Sequence, residues 1–170
     1  KLVEGIPSLR TKAMRHVLEE CFRKGKDRFG FQLISYSIMS NHIHVVAIVE
    51  DDEALKKGAQ GLGIRIGKAI NKFFGRSGRV VRDRYHAKPK YGLSAIRSAV
   101  AYVLQNARKH QVGIRKGEWD IYYSARFSKR LVDVPIGDWP VVLVNYFYGL
   151  AKVALRQAHP DIYPGCYLRA

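Results

Sequence analysis

Two runs of strand-forming residues separated by a two-residue turn constrain this chain more than any other feature. Phe31–Met39 (FQLISYSIM) is rich in aromatic and β-branched residues, Ser40-Asn41 is a turn signal, and His42–Val49 (HIHVVAIV) resumes the strand pattern. The spacing predicts an antiparallel hairpin. Its second strand is apolar on both faces apart from two histidines, as in a strand with neighbours on either side.

Helical periodicity flanks the hairpin. Leu9–Lys24 repeats apolar residues at Leu9, Ala13, Val17, Leu18, Cys21 and Phe22, with Ser8 as the expected cap and Gly25 as the stop. Glu53–Phe74 carries a stripe of Leu55, Leu62, Ile66, Ala69, Ile70 and Phe73, behind Asp51 and Asp52 and ahead of Gly75. Ser94 is the expected cap of a third helix, Ala95–Gln111. Val80-Val81 and Arg84–Tyr91 read as short strands or a β-loop, and Lys1–Glu4 as the end of a strand that begins upstream. In the tail, Trp119–Phe127 is aromatic and irregular, a helix is expected over Val141–Gln157, and His159–Ala170 reads as a loop. The expected organisation is a core over residues 1–118 with an appendage, 119–170, packed on it.

Charge narrows the partners. The chain of 170 residues carries 30 Lys and Arg against 14 Asp and Glu, a net +16, with 47% hydrophobic residues. That apolar content excludes a disordered basic tail, and a folded domain this cationic suits a polyanion, nucleic acid first and an acidic membrane surface second. The longest apolar run, near Ile43–Val49, is far short of the roughly 20 residues of a membrane helix, so no membrane span is expected. Cys21 and Cys166 have no CxxC spacing, which excludes a zinc ribbon and fits a reducing, cytoplasmic setting.

His42-Ile43-His44 is the first chemical motif. Residues i and i+2 of a strand point to one side, so both imidazoles reach one point while Ile43 faces the core. Such a pair suits a divalent transition ion and leaves positions for a third ligand, water and a substrate oxygen. The ordinary alternative is two histidines that fall together on a half-exposed strand. Tyr102 and Asn106, four apart on the third helix, share a face. The phenol is a poor nucleophile at its free pKa of about 10 unless a metal polarises the phosphate it attacks. The Asn106 amide could complete the ion's shell, and Arg108 and Lys109 could hold phosphate oxygens. The plain alternatives are a tyrosine at the core rim and an exposed amide.

The second feature is a basic stretch. Arg65, Lys68, Lys72, Arg76, Arg79, Arg82, Arg84, Lys88 and Lys90 stand against Asp83 alone, a net +8 and half the chain's total. Tyr85, His86 and Tyr91 interleave. Cations follow a phosphate backbone while aromatics stack on unpaired bases; a solvated basic face is the alternative.

Three segments in order carry a resemblance. Tyr36–Val46 resembles the Y-x-x-M-x-N-H-x-H-h-h signature of the IS200-like Y1 transposases. Gly78–Ala87 resembles the G-x-h-h-x-x-R-Y-H-A segment of their REP-associated branch, and Ala101–His110 the Y-h-x-x-N helix. The likeness spans about Phe29–His110. It implies an α+β fold: a ferredoxin-like antiparallel sheet with packed helices, to which the C-terminal part adds a helical or irregular appendage. It implies an HUH endonuclease in which His42, His44 and Asn106 hold Mg²⁺ or Mn²⁺ and Tyr102 is the nucleophile. The implied substrate is single-stranded DNA near hairpin-forming repeats, cleaved to a 5′-phosphotyrosine and a 3′-hydroxyl by a monomer or homodimer. Two other functions fit the residues: a non-catalytic hairpin-DNA binder, and a metal-dependent phosphoesterase that uses water.

Overall fold

The computed structural model describes residues 1–25, 27–90, 93–109, 120–124 and 166–169. In chain order these form α1 (Lys12–Gly25), β1 (Asp27–Arg28), β2 (Phe31–Ile38), β3 (Ile43–Val49), α2 (Asp52–Phe73), β4 (Ala87–Lys90), α3 (Leu93–Lys109) and β5 (Cys166–Arg169). The strands make one five-stranded sheet in the order β1-β2-β3-β5-β4, antiparallel throughout. The fold is the expected α+β, ferredoxin-like arrangement of a sheet with helices packed on it. None of the described helices is long and apolar enough to cross a membrane.

The hairpin forms where its sequence pattern places it. Tyr36 pairs with Val45, Ser37 with His44 and Ile38 with Ile43, and a bulge between Leu33 and Ser35 shifts the register. Met39 N–H donates to the His42 carbonyl at 2.9 Å and closes the turn, so His42 stands at the hairpin's end, just outside β3. The turn is fastened from outside: Leu9 N–H donates to Ser40 O and Leu2 N–H to Asn41 O, each at 2.8 Å. That fastening explains why α1 begins later than its periodicity suggests. Residues 8–10 are committed to the turn, and Thr11, whose hydroxyl accepts from Met14 N–H at 3.1 Å, replaces Ser8 as the cap. Met14 is buried where Ala13, expected inside, is exposed.

Alternation along β3 assigns its two faces. Ala47 and Val49, with Ile43 and Val45 beside them, pack with Tyr36 and Ile38 of β2 against Leu18 and Phe22 of α1 and Leu62, Ile66 and Ile70 of α2. Each such side chain, once buried, contributes about 1.5–3 kcal/mol. Gly58 lets α2 settle there, because any Cβ at that position would collide with the Phe31 ring. Asp51 starts α2 by accepting from Ala54 N–H at 2.6 Å, and Gly75, at φ 60°, follows its C-terminal end. Val46, Ile48 and His44 take the other face, over which α3 lays Ala99, Val100 and Val103.

Two expectations are corrected. Cys166–Arg169, read as part of a loop, is β5, inserted between β3 and β4. The strand expected over Arg84–Tyr91 shortens to Ala87–Lys90, while Val81 makes a single bridge to Leu2. Within Trp119–Phe127, residues 120–124 run along β2: Tyr123 bridges Ser37, and Ile38 N–H donates to Tyr122 O at 3.0 Å. The helix expected over Val141–Gln157, and the rest of the tail, lie outside the described residues.

Candidate active site

The site forms where the hairpin's turn end meets α3. Asn41 accepts from His42 Nδ1–H through its amide oxygen at 2.8 Å, which sets the ring's orientation and leaves Nε2 a lone pair. His42 is half-buried and His44 is 3% exposed. Their Nε2 atoms lie 3.0 Å apart, with the rings at 79°. Opposite His44 across the ladder sits Ser37, fully buried and small enough to leave the imidazole room beneath α3.

From α3, Tyr102 meets His44 edge to face, ring centroids 5.9 Å apart at 87°. Ala99, Val103 and Asn106 recur at helical spacing on the sheet-facing side, so the contacts that seat the helix also bury Asn106, which is 0% exposed. Both polar atoms of its amide are buried with no hydrogen-bond partner among the described residues. An amide left in that state costs about 1–3 kcal/mol. Side chains of Arg108 and Lys109 lie outside the described set.

The donors fit a divalent ion. The two Nε2 atoms lie within hydrogen-bond distance of one another at 3.0 Å, so the imidazoles converge. The Asn106 oxygen, one helical turn beyond Tyr102, is a buried acceptor without a partner among the described residues. No three His, Cys, Asp or Glu side chains converge on a point among the described residues, so an ion here would draw on an amide and water beyond the imidazoles.

The basic stretch is divided by the fold. Arg65 and Lys72 border a groove between α1 and α2, whereas Arg79 and Arg84 line a cleft between α2 and residues 78–85, and Lys68 touches both. Arg79 is partly occupied by its own loop, donating through Nε to Val81 O at 2.8 Å and through Nη2 to Arg82 O. Arg76 reaches Arg79 O at 3.3 Å. Tyr85 and His86 line a small cavity with His42, and Arg82 and Lys88 are exposed. In the sequence Asn41 stands out as a turn former and as the Asn of the N-H-x-H signature; its bond to His42 Nδ1 comes only from the structure.

A comparison with known families matches residues 7–106 to the family described as "Transposase IS200 like". No curated protein and no solved structure matches the chain. The matched span runs from α1 through the histidine hairpin to Asn106 and covers more than half of the sequence, so this chain belongs to the IS200-like transposase family.

Proposed function

We propose that the protein is a metal-dependent single-strand DNA endonuclease and strand transferase in which Tyr102 is the nucleophile. The observation that carries this reading is the Tyr102 ring set against His44 on the helix that also buries the Asn106 amide, unpartnered among the described residues. His42, His44 and Asn106 would hold the divalent ion, Mg²⁺ or Mn²⁺, which when bound draws charge from the phosphate oxygens and so favours attack. Tyr102 Oη attacks the phosphorus, a new P–O bond forms to the phenol, and the bond to the 3′ oxygen breaks. The phenol's proton is balanced by the one gained at the departing 3′-hydroxyl. The DNA 5′ end stays on Tyr102 as a phosphodiester, so the same or another 3′-hydroxyl can attack it and release the phenol without an external energy source. Asn41 keeps the His42 ring in place through both steps.

The likeness of Gly78–Ala87 to the REP-associated branch supports hairpin-forming repeats as the target. The test is incubation of labelled hairpin-tailed single strands with the protein and Mn²⁺ or Mg²⁺. A denaturation-resistant adduct is expected, located on Tyr102 by mass spectrometry and absent from Tyr102→Phe. Cleavage that survives in Tyr102→Phe would replace this mechanism with attack by water. Binding without cleavage under either metal would leave a DNA-binding relative.

A further inference from the structure

We infer that the cleft between α2 and residues 78–85 holds single-stranded DNA, with Tyr85 stacking on a base. This rests on the endonuclease reading above and adds a path for the strand.

The cleft encloses about 920 Å³. That is the size of a ligand pocket. Small residues line part of its floor. Ala59, Gly63 and Gly67 recur every four residues along α2, and a Cβ built on Gly63 would meet nothing within 4 Å. Flat ligands such as bases and sugars can therefore approach the helix backbone. Among the described residues Lys68 and Arg84 border it without an ion pair and no acid lines it. The α1–α2 groove differs, since Glu20 lies in it, bound to Arg23 and Lys24.

The wall opposite α2 is built rather than loose. Asn71 Nδ2 donates to Gly78 O at 2.8 Å and Val3 N–H to Val80 O at 2.9 Å, while Arg82 N–H reaches Lys1 O at 2.8 Å. Arg79 staples Val81 and Arg82 from within. A wall fixed before binding spends less ordering entropy when the ligand arrives.

The cleft lies on the α2 side of the sheet, the face opposite His44 and Tyr102. A second cavity, about 70 Å³, reaches His42 and shares Ala59, Gly63, Val81 and Tyr85 with the larger one. Tyr85, half-buried, thus stands at the junction. Base–aromatic stacking is sequence-tolerant, which suits an anchor for strands of mixed sequence, and Lys68 and Arg84 would follow the phosphates along the cleft.

The test uses fluorescence anisotropy with a short labelled single strand of mixed sequence, at several salt concentrations, on the full chain. Tyr85→Ala is expected to weaken binding about tenfold with the salt slope unchanged, and Tyr85→Phe to restore it. Lys68→Ala and Arg84→Ala should each lower the salt slope by about one, while Lys24→Ala leaves binding as it is. Weakening by Lys72→Ala equal to that by Arg84→Ala would move the strand to the α1–α2 groove and overturn the inference. Unchanged binding in folded Tyr85→Ala and Arg84→Ala, judged by circular dichroism, would overturn it as well. Adduct formation on Tyr102 is scored separately. An adduct with unaltered binding in the cleft variants sinks the cleft alone; the expected binding pattern without an adduct sinks the endonuclease reading and keeps the cleft.

Discussion

Asp120→Ala is expected to be among the most destabilising single changes outside the apolar core. Its carboxylate accepts from Arg10 Nη1 and Nη2, both at 2.8 Å, and from Tyr122 N–H at 3.0 Å. Arg10 also donates to Ile38 O at 2.9 Å and stacks over the Tyr122 ring at 4.3 Å, while the Tyr122 hydroxyl donates to Arg10 O at 2.7 Å. Side-chain exposure is 11% for Arg10 and 1% for Asp120, and this decides the magnitude. An exposed pair is worth about 0.2–1 kcal/mol, but stripping one partner from a buried pair strands a charge at about 3–5 kcal/mol. With a slope near 2 kcal/mol per molar in urea, the midpoint should fall by about 1.5–2.5 M. Joint replacement, Arg10→Met with Asp120→Leu, should cost less than Asp120→Ala because no charge is left behind. The amide of Ile38, held by Tyr122 O, should also exchange faster as residues 120–124 come away from β2. A loss under 1 kcal/mol, or a double variant worse than the single, would refute the claim that this pair fastens the segment.

Other outcomes follow from single contacts. Gly58→Ala should destabilise by about 1–3 kcal/mol through collision with Phe31, and Phe31→Leu should recover part of the loss in thermal melts. Asn106→Leu, which removes a buried amide lacking partners among the described residues, should hold or raise the melting temperature in chelator and abolish the rise that Mn²⁺ gives the parent protein. An undiminished Mn²⁺ response would remove Asn106 from the ion's shell. Hydrogen bonds from Arg23 and then Lys24 hold the Glu20 carboxyl down at about 2, against 4.5 for the free group. A depressed carboxylate stabilises above its unfolded value and loses that contribution as pH falls through the folded one. Glu20→Gln should therefore flatten the pH dependence of stability between about pH 4.5 and 2, and an NMR titration midpoint near 4.5 would contradict the pairing.

What the sequence disclosed was local. The hairpin, the turn at Ser40-Asn41, the cap at Asp51 and the shared face of Tyr102 and Asn106 depend on neighbours within a few residues. Side-chain period and turn chemistry express them directly. The start of α1 was hidden because a bond from Leu9 to Ser40, distant in the chain, outweighs the local periodicity. The strand at Cys166–Arg169 was hidden because four residues become a strand only when two others flank them. The cationic run looked continuous along the chain, yet helix rotation and the return of residues 78–85 divide it between two grooves. That α3 covers the histidine face, bringing Tyr102 to His44, follows from packing of Ala99, Val100 and Val103, and no spacing rule reveals it.

The placement of β5 has a consequence for synthesis. Residues 46–48 and 87–90 are translated long before residues 166–169, yet they touch one another's sheet only through that last strand. A nascent chain therefore carries a gap one strand wide, flanked by two ladders of unspent amides and carbonyls. Until its own segment arrives, any extended peptide of suitable alternation can occupy the gap, including the same segment from a neighbouring copy. Premature termination should accordingly yield aggregates or exchanged pairs, and a β5 peptide supplied in trans should rescue the shortened protein.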